Sequence, residues 1–220
     1  MHGDRNPSLG VDLRQNGKGP VIVLNCRSQG CEFQAILDAV GLKPEDLYFQ
    51  PHDRSGVTGC TVAQYAASKG LPEDFLRGGE VALKDTIWWD VDAVEVPYAD
   101  EDGRHVLSRY RVSQAGPKKV VSKKGDRTML YGLHRLETVR EAGYVLLVEG
   151  ESDCHSAWRR GLPAVGIPGA MGWKSEWAAH LDGIPQVLVV VEPDGAGQRL
   201  WEKVSSTEAL SGRVEKVELT

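Results

Sequence analysis

Two short apolar runs in the second half of the chain end on acid and glycine. Val145-Leu146-Leu147-Val148 leads into Glu149-Gly150-Glu151-Ser152-Asp153, and Val187-Leu188-Val189-Val190-Val191 leads into Glu192-Pro193-Asp194-Gly195-Ala196-Gly197. Runs of leucine and β-branched residues bounded by breakers read as strands buried on both faces. Carboxylates at the carboxyl ends of such strands meet at the edge where open α/β sheets bind ligands. Glu149, Glu192 and Asp194 are hard oxygen donors. Magnesium, or manganese in its place, takes a few carboxylates together with water and phosphate oxygens. Two such ions would activate a 3′-hydroxyl and stabilise a pyrophosphate leaving group. The three acids are therefore expected to be catalytic and to hold the metal. Gly150, Gly195 and Gly197 would leave room for close backbone approach. The plainer alternative makes Glu149 a helix cap and Glu192-Pro193-Asp194 an ordinary polar turn. One acid-glycine strand end would be unspecific; two, about 43 residues apart in one β-α repeat, are more specific.

A second constellation lies near the N-terminus. The four cysteines are Cys26, Cys31, Cys60 and Cys154, and in a reducing compartment thiols are more often metal ligands or free than bridged. Ser8 to Leu13 alternates as a strand does, Asn16-Gly17 signals a hairpin turn, and Val21 to Leu24 returns to deliver Cys26. Cys31 closes a four-residue loop and opens an amphipathic helix, Phe33 to Val40, which Gly41 ends. Two thiols on a strand-to-helix turn suit tetrahedral zinc, whose structural sites take four ligands. His2 is the expected third. A Cys-x-x-His pair would place the fourth before Met1, so the site is either degenerate or completed upstream. His52 and Cys60 are weaker substitutes. The plainer reading keeps Cys26 and Cys31 as small buried hydrophobes.

The whole chain, 220 residues with 41% hydrophobic and 26% charged, carries a net charge of −5. That alone argues against a polyanion partner, but the distribution argues for one. Arg104, Arg109, Arg111, Lys118, Lys119, Lys123, Lys124 and Arg127 face a single acid, Asp126, giving a segment of net charge +7. Asp102-Gly103 is a strong turn, so 94–98 and 104–112 should pair as a hairpin. Arg109 and Arg111, two apart, then share one strand face. With Tyr110 and Tyr131 nearby, the expectation is a surface that tracks nucleic-acid phosphates rather than a merely solvated charged face.

Other elements must position these groups. Residues 51–60 are turn-rich and read as a linker. Thr61 caps a helix over 62–69 ended by Gly70, and Pro72 starts a short helix ended by Gly78-Gly79; this hairpin carries no visible chemistry. From 143 onward strand and helix alternate: strands 144–149, 163–167, 186–192 and 213–219, helices 152–160, 174–181 and 197–210. That order means a parallel sheet with helices on both faces. No dinucleotide fingerprint and no P-loop occurs, so nucleotide chemistry must rest on the carboxylates. No apolar run approaches the ~18–20 residues of a membrane span, and the N-terminus lacks the apolar core of a signal peptide. A cytoplasmic location with no membrane partner is expected. The domains read as 1–50, 51–80, 81–140 and 141–220.

Glu149-Gly-Glu-Ser-Asp153 with Glu192-Pro-Asp194-Gly-Ala-Gly resembles the Toprim domain of primases, topoisomerases and related nucleases, with Glu192 standing where an aspartate is usual. His2-Gly-Asp-Arg-Asn-Pro-Ser-Leu with Cys26 and Cys31 resembles the zinc ribbon of bacterial and phage DNA primases. Lys124-Gly125, Leu130-Tyr131-Gly132-Leu133 and Ile167-Pro168-Gly169-Ala170 resemble further stretches of the same family. The resemblance implies an α/β Toprim domain with a Rossmann-like parallel sheet. A basic α+β subdomain and an N-terminal zinc-ribbon-like module would precede it. It implies a primase, a nucleotidyltransferase that uses magnesium to join ribonucleoside triphosphates into a short RNA primer on single-stranded DNA, with a replicative helicase as partner. Glu149 would then be catalytic acid and metal ligand, with Glu192 and Asp194 as metal ligands. Lys118, Lys119, Lys123 and Lys124 would touch phosphate or incoming nucleotide, and His2, Cys26 and Cys31 would hold zinc. Asp153 is a weaker candidate that could cap its helix or orient a basic partner. A primase core would be expected to continue beyond Thr220. The alternatives are a Toprim nuclease or topoisomerase fragment, and a non-catalytic nucleic-acid-binding protein. A topoisomerase would need a tyrosine nucleophile in a further domain, and a nuclease would not need the ribbon.

Overall fold

A computed structural model describes residues 8–16, 19–48, 56–88, 90–116, 118–169 and 172–218. The chain divides into two compact units, 1–54 and 55–220. In the first, β1 (Leu9–Asn16) and β2 (Gly19–Cys26) pair antiparallel, with Leu9 opposite Cys26. A loop leads to α1 (Phe33–Val40), whose amphipathic face buries Ile36 and Leu37. Gly41 ends it in the left-handed conformation, and its N–H donates to the carbonyls of Leu37 and Asp38. A non-glycine residue there would meet the steric cost of positive φ.

The second unit begins with α2 (Val62–Lys69) and α3 (Glu73–Arg77). Thr61 caps α2 as its sequence predicts: its hydroxyl accepts from the Gln64 N–H, and the Gln64 side chain accepts from the Thr61 N–H. An antiparallel sheet follows, β3 (Lys84–Trp88), β4 (Val91–Ala99), β5 (His105–Arg111) and β6 (Val120–Ser122), in that spatial order. Val94 stands opposite Arg111, Val96 opposite Arg109 and Tyr98 opposite Leu107. Facing residues share a side of the sheet, so both arginines lie on the side that carries Val94, Val96 and Tyr98.

The remainder alternates: α4 (Leu136–Ala142), β7 (Tyr144–Val148), α5 (Glu151–Trp158), β8 (Ala164–Gly166), β9 (Gln186–Val191), α6 (Gly195–Ser205) and β10 (Val214–Glu218). The four strands are parallel in the order β10-β9-β7-β8. Their period of two splits the side chains between two cores. Val145, Leu147, Val187, Val189 and Val191 pack with Leu136 and Val139 of α4 and Leu200 and Val204 of α6. Val148 packs on the other side with Cys154 and Trp158 of α5, and that core runs on into Tyr65, Leu76, Val94, Val96 and Tyr98. The parallel and antiparallel sheets are thus sealed by one apolar interior.

Two expected helices differ. Residues Ser175–Leu181 form a 3-10 helix, with the Trp177 N–H donating to Lys174 O. The helix expected over 197–210 starts earlier, because Asp194 caps it, and stops at Ser205. There the Thr207 hydroxyl bonds back to Lys203 O and accepts from Trp173 Nε1, which ties the chain down before a short 3-10 turn, Glu208–Leu210.

His155 of α5 is fully buried between two phenols: Tyr65 OH lies 2.9 Å from Nδ1 and Tyr131 OH 2.8 Å from Nε2. A neutral imidazole has one donor and one acceptor nitrogen, so one tyrosine donates to the ring and the other accepts from it. Burial, reinforced by the positive charges of Arg111 and Lys69, lowers its pKa from 6.5 to about 3. The unfolded chain therefore takes up this proton first as pH falls. Stability contributed by the neutral ring is present above about pH 6.5 and is lost as pH falls toward 3, at no more than about 1.4 kcal/mol per pH unit. Urea unfolding of His155→Gln between about pH 4 and 7 is expected to show a shallower pH slope than the parent chain; equal slopes would assign the acid sensitivity elsewhere.

Candidate metal and nucleic-acid site

Glu149 follows β7 directly and Glu192 follows β9 directly. These strands are neighbours, ~4.8 Å apart, with Leu147 beside Val189, so both acids emerge at one carboxyl edge, Glu149 level with Val191 and Glu192 one residue beyond. Glu149 is half-buried, whereas Glu192 and Asp194 are exposed. Asp194 is the N-cap of α6: its Oδ1 accepts from the N–H groups of Ala196 at 2.9 Å and Gly197 at 2.8 Å. The cap uses one carboxylate oxygen. Gly197 is required by this junction, since a Cβ there would sit 2.4 Å from the Glu192 carbonyl oxygen. The close approach it allows is to its own chain. Gly150, at φ +105°, makes the turn from Glu149 into α5. A cleft of about 190 Å³ opens at this edge, lined by Glu192, Pro193, Asp194, Gln198, Lys216 and Glu218.

Asp153 of α5 belongs to the same edge. Burial raises its pKa, the neighbouring Glu192 charge pushes the same way, and Lys69 opposes both. Lys69, exposed in the last turn of α2, is thus the nearby cation that favours the ionised form of Asp153, from a helical hairpin expected to carry no chemistry. The only sequence signal was a basic residue before a helix-ending glycine. Among the described residues no three His, Cys, Asp or Glu side chains group tightly enough to cage an ion. The three predicted acids share an edge without converging. Their chemistry, hard and mostly solvent-facing oxygens, fits an ion that fills its shell with water and phosphate.

Glu151, which sequence reasoning passed over, is the best-anchored acid. Its side chain is 7% exposed, and Oε1 accepts from Tyr98 OH at 2.6 Å and from Arg109 Nη1 at 2.9 Å. Arg109, expected to track phosphates, is thus placed with its Nη1 on Glu151. Arg111 is buried, 4.9 Å above the Tyr65 ring, with Nη1 3.5 Å from Ser113 O. The two share a face as their spacing predicts, but it is the packed face. The Asp102-Gly103 turn held the clue, because its register sets Val96 opposite Arg109. Lys119, Lys123, Lys124 and Arg127 are exposed and Lys118 is half-buried. Lys123 Nζ lies 5.8 Å from the centroid of the Tyr110 ring, which stacks on Trp88 at 4.1 Å. Arg127 lines a narrow cleft with Tyr98, Arg109 and Pro168.

In the first unit Cys26 is half-buried, and its pKa falls to about 5 through the backbone N–H groups of Cys31 and Gln29 and the Cys31 thiol. A sulfur held as thiolate by amide donors beside a second thiol is the donor chemistry of half a zinc site. His2 and His52 lie outside the described residues. Cys60 is fully buried in the second unit's core, where its thiol donates to Thr61 O at 3.6 Å, so it is not an available ligand.

No family model matches the chain. The gene 57 protein of Mycobacterium phage D29 is 31% identical over 99 residues, which are 45% of this chain and 64% of that protein. Among solved structures, a DnaG catalytic core aligns over 72% of this chain and 65% of its own, at 21% identity and a TM-score of 0.58. A DnaG primase catalytic domain bound to single-stranded DNA aligns over 84% of this chain and 70% of its own, at 19% identity and 0.58. The primase fragment of the bacteriophage T7 primase-helicase aligns over 89% and 81%, at 14% identity and 0.51. The chain has the fold of bacterial and phage primase catalytic cores. It spans less than two thirds of the gene 57 protein and of the first of these cores.

The Glu151 clamp has a measurable signature. Glu151→Gln leaves the Arg109 cation without its counter-charge and is expected to cost about 3 kcal/mol. Arg109→Met with Glu151→Leu, which removes both charges, is expected to recover most of that loss. Urea midpoints of the single and double variants check both; a Glu151→Gln cost below about 1 kcal/mol would place the pair's worth at that of a surface contact.

Proposed function

We propose that the chain is a primase, a metal-dependent nucleotidyltransferase that builds short RNA primers on single-stranded DNA, and that its parallel sheet is a Toprim domain. The observation that carries this is the placement of Glu149, Glu192 and Asp194 at the ends of adjacent parallel strands, in a fold shared with primase catalytic cores. The relatives' names add support: one is bound to single-stranded DNA and another is part of a primase-helicase. The partners are then a single-stranded template, ribonucleoside triphosphates, the primer and a replicative helicase, in the cytoplasm.

Glu149, Glu192 and Asp194 would hold magnesium or manganese. When bound, the metal supplies positive charge to the attacking 3′-hydroxyl and to the pyrophosphate leaving group. Asp153, whose charge Lys69 favours and Glu192 opposes, would orient a basic partner at the acid edge. Lys118, Lys119, Lys123, Lys124 and Arg127 track template and nucleotide phosphates along the segments on either side of β6. In the N-terminal module Cys26 and Cys31, with His2 as the expected third ligand, would hold zinc and orient a template-reading surface.

The test is priming itself. With single-stranded DNA, one labelled ribonucleotide and magnesium or manganese, a ladder of short RNA is expected, and Glu149→Gln should reduce it about 100-fold or more. Template cleavage without RNA would make the chain a nuclease, and binding with neither product would make it a non-catalytic binder. In the same assay, Lys123→Ala with Lys124→Ala should weaken template binding and flatten its dependence on log salt by about one to two. Metal analysis of the purified chain is expected to find zinc that Cys26→Ser loses; a zinc-free parent protein would mean the site is degenerate.

A further inference from the structure

Lys216 is unaccounted for by the acids it accompanies. It lies on β10, the edge strand of the parallel sheet, beside Val189 of β9. Its side chain is 28% exposed, and its ammonium is 2.6 Å from Glu218 Oε1 and 3.4 Å from Gln198 Oε1. Lys216, Glu218 and Gln198 line the same cleft of about 190 Å³ as Glu192 and Asp194. Among the described residues that line the cleft, Lys216 is the cation. The stem is held along the sheet while the charged head reaches the opening.

The partner it rests against is weakly committed. Glu218 is 69% exposed, and an ion pair with so exposed a carboxylate gains little over water. A phosphate oxygen carries denser charge and would displace it.

We propose that Lys216 binds the triphosphate of the nucleotide that Glu192 and Asp194 bring into the cleft, exchanging Glu218 for a phosphate oxygen. The proposal rests on the nucleotidyl-transfer reading above. Metal-bridging carboxylates leave part of the triphosphate's negative charge unmatched, and this ammonium is placed to match it.

Anisotropy of a fluorescent ATP with magnesium, titrated with the full chain, tests this without requiring priming. Lys216→Met is expected to weaken binding about tenfold and to make inorganic tripolyphosphate a correspondingly poorer competitor. Lys216→Arg should stay within about threefold of the parent, and Glu218→Gln, which frees the ammonium, should tighten binding. Single-stranded DNA affinity should be unchanged in all three. Unaltered nucleotide affinity in a folded Lys216→Met, or no tightening in Glu218→Gln, would overturn the proposal and leave the primase reading standing. A parent chain that binds no nucleotide would overturn both.

Discussion

A buried glutamate beside an arginine and a tyrosine sets the geometry on which the site depends. Taking an ionised carboxylate out of water costs several kcal/mol unless it is paired and hydrogen-bonded. Glu151 is both, through Arg109 of β5 and Tyr98 of β4. It is also the first residue of α5, two positions after Glu149. The chain between them is one glycine in a conformation that other residues resist. Pinning Glu151 to the antiparallel sheet therefore pins the end of β7, and with it the position of Glu149 relative to the basic strands. A hydrophobic pair would seal the same interior but would not fix register as narrowly.

The second tie is uncharged. His155 lies one turn farther along α5 and bridges Tyr65 of α2 to Tyr131, whose backbone pairs with Gly166 at the end of β8. Three elements distant in sequence meet on one neutral ring. The cations Arg111 and Lys69 nearby make protonation there costly, which keeps the ring in the one state that satisfies both phenols. The positive charge of Lys69 acts twice, since it also favours the ionised form of Asp153.

Much of the frame was legible because it is written locally. The capping pair Thr61 and Gln64, the helix-ending Gly41 and Gly70, the apolar runs of β7 and β9 and the cysteine loop each act over a few residues. What was not legible depends on distant partners. Arg109 looked like a phosphate contact because its charge is visible in sequence, while its counter-ion lies 42 residues away. Trp88 stacks on Tyr110 across the sheet, a pairing that neither residue's neighbourhood suggests. The acids were found by type and spacing, and their shared edge follows from strand order. That they stand apart rather than forming a cage is a property of side-chain placement that no periodicity encodes.

That open arrangement is consistent with how Asp194 is used. Its Oδ1 satisfies two N–H groups at the start of α6, which otherwise lack intrahelical partners. The same residue is exposed and lines the cleft together with Glu192 and Glu218. A tightly closed cation site would compete with the cap for this carboxylate. On the proposed function, a metal arriving with phosphates would need only the remaining oxygen and neighbours on the adjacent strand. The cap in turn brings Gly197 against the Glu192 backbone, so the interaction that starts the helix also fixes where the second acid stands. Folding and the proposed chemistry would then draw on different atoms of one side chain, and both would be preserved as long as the site gathered its last ligands from the substrate.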